Sequence, residues 1–268
     1  MIQISILGCG WLGLPLAKRF LENNFAVNGS TTTVEKLLLL SNLGIDPYLI
    51  SLTEKEVIGE ITRFLENSKV LIIDIPPKLR GFEPENFVQK IKNLIPFIEN
   101  SSLKKLIFVS STSVYGDTNQ VVTEQTVASP DTESGKQLLE TEQLLLQNTN
   151  FETTIVRFGG LVAADRHVAK MLSGKINIQN PLSAINLIHQ DDCIAIILKI
   201  IETQSWNQVY NAVSPYHPNR KEYYQNKATF FDLPKPLFDE NGISNGKIVD
   251  SSKLILDLNY QFIWTENI

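Results

Sequence analysis

Cysteine is nearly absent. Cys9 and Cys193 are the only two in 268 residues. Without further cysteines or metal-ligand spacing there is no disulfide framework and no zinc-ribbon type of site. Both are expected to be reduced thiols of a cytoplasmic protein. Long apolar runs are missing as well. The stretch 194–201 is among the longest and is far too short to span a bilayer. Basic charge is not in excess: 24 Lys and Arg stand against 29 Asp and Glu, a net charge of −5. That balance argues against a general binder of nucleic acid or of anionic membranes. The first strand is expected from Ile2, which leaves no room for a charged leader, so no signal peptide is expected. The three histidines, His167, His189 and His217, have no metal-site spacing. What remains is an ordinary globular composition, 43% hydrophobic and 20% charged.

The most informative segment comes first. Residues 2–7 read as a buried strand, Gly8-Cys9-Gly10-Trp11-Leu12-Gly13 follows at once, and 14–23 reads as a helix. This is G-x-G-x-x-G in the order strand, glycine turn, helix, and the order is what gives the motif meaning. Gly8 permits the tight turn. Gly10 lets a pyrophosphate approach the backbone. Gly13 lets the helix pack close on the strand. The free N–H groups and positive end of the helix can then hold phosphates. The expected contacts of a dinucleotide are Gly8, Gly10, Trp11, Leu12 and Gly13.

Strands are expected at 25–28, 47–50, 70–74, 105–110 and 153–158, with helices at 35–43, 53–67, 86–100 and 133–148. Regular alternation of strand and helix defines an α/β, Rossmann-like, doubly wound parallel sheet. Beyond Gly159 the pattern loosens, with a short strand at 185–188, an apolar helix at 191–202 and a strand at 209–211. Pro215, Pro218, Pro234 and Pro236 break the tail into short elements. The expected organisation is a dinucleotide-binding domain over 1–158, extended by 186–211, and a small C-terminal substrate-covering region over 159–185 and 212–268. A late segment is well placed to cover a ligand at the carboxyl ends of the strands.

A further absence bears on the cofactor. An acidic residue closing the second strand would grip the ribose 2′-hydroxyl of NAD. Here the stretch is Asn28-Gly29-Ser30-Thr31-Thr32-Thr33, with Lys36 one turn later. Ser30, Thr31 and Thr32 are therefore candidate cofactor contacts, with NADP weakly preferred over NAD. The same hydroxyls could equally cap a polar turn. Asp74 closes the fourth strand, where a loop is expected to pass over the cofactor, and Ile75 and Pro76 would supply an apolar wall. The fifth strand runs into Ser110-Ser111-Thr112-Ser113-Val114-Tyr115-Gly116, a strip of hydroxyls that can hydrogen-bond a substrate oxygen or satisfy its own backbone.

These segments resemble the extended short-chain dehydrogenase/reductase family, the NAD(P)-dependent epimerase/dehydratase or nucleoside-diphosphate-sugar epimerase-like group, in its atypical G-x-G-x-x-G branch. The strip 110–116 is similar to the family's catalytic-serine strand. Glu124, Pro130 and Gly135-Lys136 resemble the start of its active-site helix. Arg157-Phe158-Gly159-Gly160 resembles the segment beside the nicotinamide, and 186–192 the Ile-His-x-x-Asp stretch. The resemblance implies Ser111 as the catalytic serine, Lys136 as the lysine of a Tyr-x-x-x-Lys pair on the nicotinamide ribose, and cofactor contacts from Ser110 and Gly160. It also implies a homodimer through helices 86–100 and 133–148. Thr132 stands where the tyrosine belongs, and Thr112 and Ser113 stand where dehydratases carry an acidic pair.

With the tyrosine missing, Tyr115 is a candidate catalytic substitute. Thr112, Ser113, Arg166 and His167 are candidate substrate contacts, Arg166 for an anionic group and His167 as a base. Two functions follow from the sequence. One is an NAD(P)-dependent epimerase or oxidoreductase acting on a sugar-nucleotide-like or small carbonyl/hydroxyl substrate. The other is a non-catalytic NAD(P)-binding sensor or assembly protein.

Overall fold

The computed structural model describes residues 2–77, 79 and 85–265. Its centre is a sheet of seven strands. In chain order they are β1 (Gln3–Leu7), β2 (Ala26–Thr31), β3 (Asp46–Leu49), β4 (Ser68–Ile73), β5 (Lys105–Ser111), β6 (Glu152–Phe158) and β7 (Val209–Ala212). Every pairing is parallel and the order is β7-β6-β5-β4-β1-β2-β3. The order reverses between β1 and β4, so a crevice opens at the carboxyl ends of those two strands. Ligands bind at such switch points in open α/β sheets.

The strands are continuous apolar runs because helices cover both faces. Among the described residues α2 (Glu35–Asn42), α3 (Ile61–Leu65) and α6 (Ala169–Leu172) are short helices. On one face lie α1 (Gly13–Glu22) and α7 (Gln190–Glu202), whose Leu16, Phe20, Ile196 and Ile200 share a core with Ile4, Ile6 and Ile72. On the other lie α4 (Phe87–Glu99) and α5 (Glu133–Leu146), packing Ile91, Leu94, Leu138 and Leu145 against Leu71, Phe108 and Ile155. Helix α4 starts where its cap dictates: the Asn86 side chain accepts the Gln89 N–H at 2.9 Å.

The segment 53–67 departs from the single helix that its sequence predicts. Ser51–Leu52 and Val57–Ile58 pair antiparallel, and only Ile61–Leu65 is helical. Thr53 explains the turn between them. Its hydroxyl accepts the Lys55 and Glu56 N–H groups, an alternative to the helical ladder.

The tail is fastened to the sheet. Asp192, fully buried in the first turn of α7, accepts from the Tyr260 hydroxyl at 2.6 Å and the Ile263 N–H at 2.7 Å. The helix Ser252–Leu258 adds Leu254 and Leu258 to the main core. Gly160–Val162 pairs with Leu187–His189, and Ile248–Val249 with Val121–Val122.

A buried ion pair ties α5 to the sheet. The Arg157 guanidinium donates to both Glu142 oxygens, Nε at 3.0 and 3.1 Å and Nη2 at 2.5 Å. The Ser110 hydroxyl donates to the same carboxylate at 2.5 Å. Removing one member of such a pair leaves a charge unpaired in the interior and costs about 3–5 kcal/mol. Arg157→Met is therefore expected to lower the free energy of urea unfolding at pH 7 by roughly that amount. A loss under about 1 kcal/mol would show that the pair holds little of the fold.

Candidate functional site

The crevice is a cleft of about 760 Å³, lined by the glycine turn, the ends of β2, β4 and β5, and α4 and α5. The glycine turn is shaped by two close approaches. Gly8 has φ +111°, and a Cβ there would meet the Asp74 carbonyl oxygen at 2.3 Å. A Cβ on Gly13 would stand 2.1 Å from the Gly8 carbonyl oxygen. Gly10 differs: no atom lies within 4 Å of where its Cβ would be. The backbone at Gly10 is thus bare toward the cleft. The Trp11 and Leu12 N–H groups have no hydrogen-bond acceptor among the described residues. A bare backbone, orphan donors and the start of α1 together form a fit cradle for a pyrophosphate.

The other expected cofactor contacts lie around this cradle, with two exceptions, Gly160 and Lys136. Leu12, Ser30, Thr31, Thr32, Asp74, Ile75, Pro76 and Ser110 all line the cleft, as do Thr33 and Lys36. Ser30 acts on the turn itself. Its hydroxyl accepts the Gly8 N–H at 2.9 Å and its carbonyl accepts the Cys9 N–H at 2.8 Å. Thr31 accepts the Thr33 N–H at 3.1 Å. Ser51, Leu52, Ile75, Pro76 and Phe87 make a largely apolar wall farther out. Gly160 departs from expectation by lining a second, polar pocket instead. Cys9 is buried below the turn, and burial pushes its thiol up to about 12, so it stays protonated and inert.

Asp74 is partly open to the cleft, yet protein surrounds its carboxyl. Burial pushes the group up to about 8, against a smaller opposing effect of its hydrogen bond from the Gly13 N–H. A neutral acid beneath the glycine turn adds no charge where phosphates would lie.

The polar pocket, about 370 Å³, lies beyond the carboxyl end of β5. Ser111, Thr112, Ser113 and Gly160 line it together with Asn180, Ser183, Arg220, Asn245 and Lys247 from the tail. Ser111 is the one lining residue common to both cavities. Its Oγ accepts the Ser113 N–H at 3.1 Å, which leaves its own proton free to donate.

Several expected roles need correction. Lys136 is exposed and lines neither cavity. The residue of α5 that faces the cleft is Leu138, four residues after Ser134. With the lysine's place at Leu138, the tyrosine's place falls on Ser134, and neither register supplies a phenol. Tyr115 is 2% exposed and committed: its hydroxyl meets the Thr123 carbonyl and Asn211 Oδ1 at 2.9 Å and accepts from Arg157 Nη1 at 2.6 Å. Burial raises its phenol further, which removes it as a base. Arg166 lies on the nucleotide cleft rather than the polar pocket, its guanidinium 4.8 Å from the Trp11 ring centre. The Trp11 indole donates to Asp165 at 3.2 Å. The His167 ring packs at a tilt against Phe231, with ring centres 4.1 Å apart, and lines neither cavity. His189 caps α7 by accepting the Asp191 N–H at 3.2 Å. No group of His, Cys, Asp or Glu among the described residues could hold a metal ion. No helix among them is long and apolar enough to cross a membrane.

The sheet order, the glycine cradle and the serine strip define a Rossmann-like fold with a second, polar pocket on its carboxyl edge. The chain belongs to the same family as Protein YeeZ of Escherichia coli. It is 32% identical over 266 residues to Protein YeeZ of Escherichia coli K12, covering 98% of this chain and 96% of that one. No family model matches it. Among solved structures it shares its fold with a putative NAD-dependent epimerase/dehydratase from Methylobacillus flagellatus (TM-score 0.77, 21% identity, 99% and 94% of the two chains). A second is the UDP-glucuronic acid 4-epimerase of Bacillus cereus in complex with NAD (TM-score 0.81, 17% identity, 99% and 93%).

Two stability measurements test this geometry. Gly13→Ala should destabilise the fold by several kcal/mol, about the scale of severe steric strain, while Gly10→Ala should shift it by no more than about 1 kcal/mol. Equal effects on the urea midpoint would contradict the built contacts. The second concerns Asp74. The unfolded chain releases this proton near 3.8 and the folded chain near about 8. The folded state holds the extra proton between those values, so stability falls as pH rises through that window and levels off above it. Asp74→Asn should flatten the decline between pH 5 and pH 8. An unchanged slope would mean that Asp74 is ionised in the fold.

Proposed function

We propose that the chain binds a nicotinamide dinucleotide in the glycine cleft and uses it on a hydroxyl or carbonyl group of a small molecule held in the polar pocket. The observation that carries this reading is Ser111, the single residue lining both cavities. When bound, the dinucleotide supplies hydride exchange. The chain's own parts then divide the work. The N–H groups of Trp11 and Leu12 hold the pyrophosphate. Arg166, exposed at the cleft mouth, adds a cation beside it. Leu138 and Val109 exclude water near the nicotinamide. Ser111 donates to the substrate oxygen and so orients it.

NADP is the proposed form. No carboxylate stands at the end of β2 to repel a 2′-phosphate. Thr32, Thr33 and the exposed Lys36 line that end of the cleft and offer hydroxyls and a cation. NAD is the alternative.

A second reading keeps a specific observation on its side. Leu138 and Ser134 leave α5 without an acid–base pair at the cleft. That favours a protein that binds the dinucleotide as a sensor or assembly partner without turning it over.

One set of titrations separates the readings. Binding of NADPH and NADH is followed by nicotinamide fluorescence, and turnover by loss of reduced-nicotinamide absorbance over a panel of sugar nucleotides and small carbonyl compounds. Ser111→Ala should lower turnover about 100-fold, the usual effect of losing a donor to a reacting oxygen, with dinucleotide affinity within twofold. Lys36→Met should weaken NADPH about tenfold and spare NADH. Gly10→Ala should abolish binding of both without unfolding the chain. Tight binding with no turnover on any panel member would sink the catalytic reading. Absence of dinucleotide binding would sink both.

A further inference from the structure

The polar pocket has a chemistry of its own. Its only acidic lining residue, Asp117, is neutralised by Lys247, whose Nζ donates to Asp117 Oδ1 at 2.9 Å and to the Tyr115 carbonyl at 2.8 Å. Arg220 is the second cation. It sits in the first turn of α8 (Arg220–Phe230), half-buried, and its Nη1 donates to the Gln179 carbonyl at 3.0 Å. It has no acidic partner among the described residues. Four of the five donors of its fork are thus uncommitted there. A half-buried guanidinium facing a cavity without a counter-charge has the chemistry to take an anion.

The rest of the lining points the same way. Asn245 donates its backbone N–H to Asn180 Oδ1 at 3.0 Å, and the Ser183 hydroxyl donates to the Asn245 carbonyl at 2.6 Å. These bonds fix two tail segments around the cavity. The side-chain NH₂ groups of Asn180 and Asn245 make no hydrogen bond among the described residues, so they too are available donors. Beyond glycines, only Ala184 and Ile185 contribute apolar side chains, and no aromatic lines the pocket. A nucleoside base seeks an aromatic or apolar platform to stack on, and this cavity has none. At about 370 Å³ it is near the small end of ligand pockets.

We propose that the substrate is a small, non-nucleotide molecule with one acidic group, carboxylate or phosphate, which Arg220 holds while Ser111 bonds its reacting hydroxyl or carbonyl. The assignment rests on the reading that a dinucleotide fills the neighbouring cleft. Arg220 is a binding and specificity residue in it, and Lys247 with Asp117 fixes the wall opposite.

The test uses the full chain loaded with saturating NADP⁺, so that the cleft's own phosphate sites are filled. Loading is measured first by its own titration. Failure at that step sinks the proposed function alone, because the Arg220 titration then remains readable on the unloaded protein. The readouts are the Arg220 Nε–Hε resonance in ¹⁵N spectra, assigned by its loss in Arg220→Gln, and, for the variants, the backbone amide resonances of Gly160 and Gly246, which line the same pocket. The probes are inorganic phosphate, glycolate, ethylene glycol as the neutral match of glycolate, and UDP-glucose. The expected result is a saturable shift with phosphate or glycolate at least tenfold below the concentration that ethylene glycol needs. Whichever of the two binds tighter identifies the acid as phosphate or carboxylate. Arg220→Gln should weaken that acid tenfold or more with NADP⁺ affinity unchanged, and Arg220→Lys should recover part of it. Three results would each overturn the proposal: UDP-glucose tenfold tighter than either acid, no preference for an acid over ethylene glycol, or an acid affinity that Arg220→Gln leaves intact.

Discussion

Glu142 and Arg157 meet in the interior between α5 and β6, and the position of the sheet edge that carries Ser111 follows from that meeting. Two buried charges are costly to desolvate, and their attraction offsets the cost only when the geometry is good and the remaining polar atoms are bonded. Both conditions hold. Glu142 takes four bonds from the guanidinium and the Ser110 hydroxyl. Arg157 spends its remaining fork on the Tyr115 hydroxyl and lies 5.0 Å from the centre of that ring. Tyr115 in turn meets Asn211 on β7, and the Asn211 N–H donates to Glu124 at 2.7 Å. One connected network therefore fixes β5, β6, β7, α5 and the loop after β5. Ser111 is the next residue out along β5. Its placement between two cavities is a consequence of a chain of bonds that leaves the strand no freedom to slide.

The two cavities are held by different physics. The nucleotide side is a matter of backbone: Gly8 and Gly13 allow approaches that no side chain would tolerate, and Ser30 pins the turn with its own hydroxyl. The pocket on the tail side is a matter of side-chain bonding between segments far apart in sequence. Asn119 donates to Asn245 at 3.1 Å and accepts the Gly246 N–H at 2.8 Å, a contact that spans more than a hundred residues of chain. The first can be built by a short local motif. The second exists only after the tail has docked, which Asp192 secures from inside the core.

That difference explains what could be read in the sequence. The strand–turn–helix opening, the apolar run of β4 and the hydroxyl strip after β5 each rest on a local rule, and each stands where the sequence placed it. Lys136 shows how a motif can outweigh a better local signal. The buried positions of α5 are Gly135, Leu138, Thr141, Glu142 and Leu145, one continuous helical face. Lys136 is about 200° around the helix from Leu138 at 3.6 residues per turn, so periodicity alone turns it outward. Gly135 was legible only in part: a Cβ there would stand 2.2 Å from the Ser113 carbonyl oxygen, so the glycine serves packing of α5 on the serine strip. Arg220, Lys247 and Asn245 gave no signal, because a broken tail has no period and their meeting depends on the docked fold.

The face of α5 also bears on what chemistry the edge can support. A tyrosine beside a lysine would supply a phenol able to exchange a proton near neutral pH. Here Leu138 faces the cleft, Lys136 faces solvent and Tyr115 is locked in the network. The groups left at the junction are Ser111 and Ser113. An alcohol can orient an oxygen and share a proton with it, but it does not act as a base near neutral pH without a partner to activate it. Ser111 has no such partner among the described residues, since its only bond is from the Ser113 N–H. Ser111 can therefore orient an oxygen, while any group that exchanges its proton must be other than a tyrosine–lysine pair on α5.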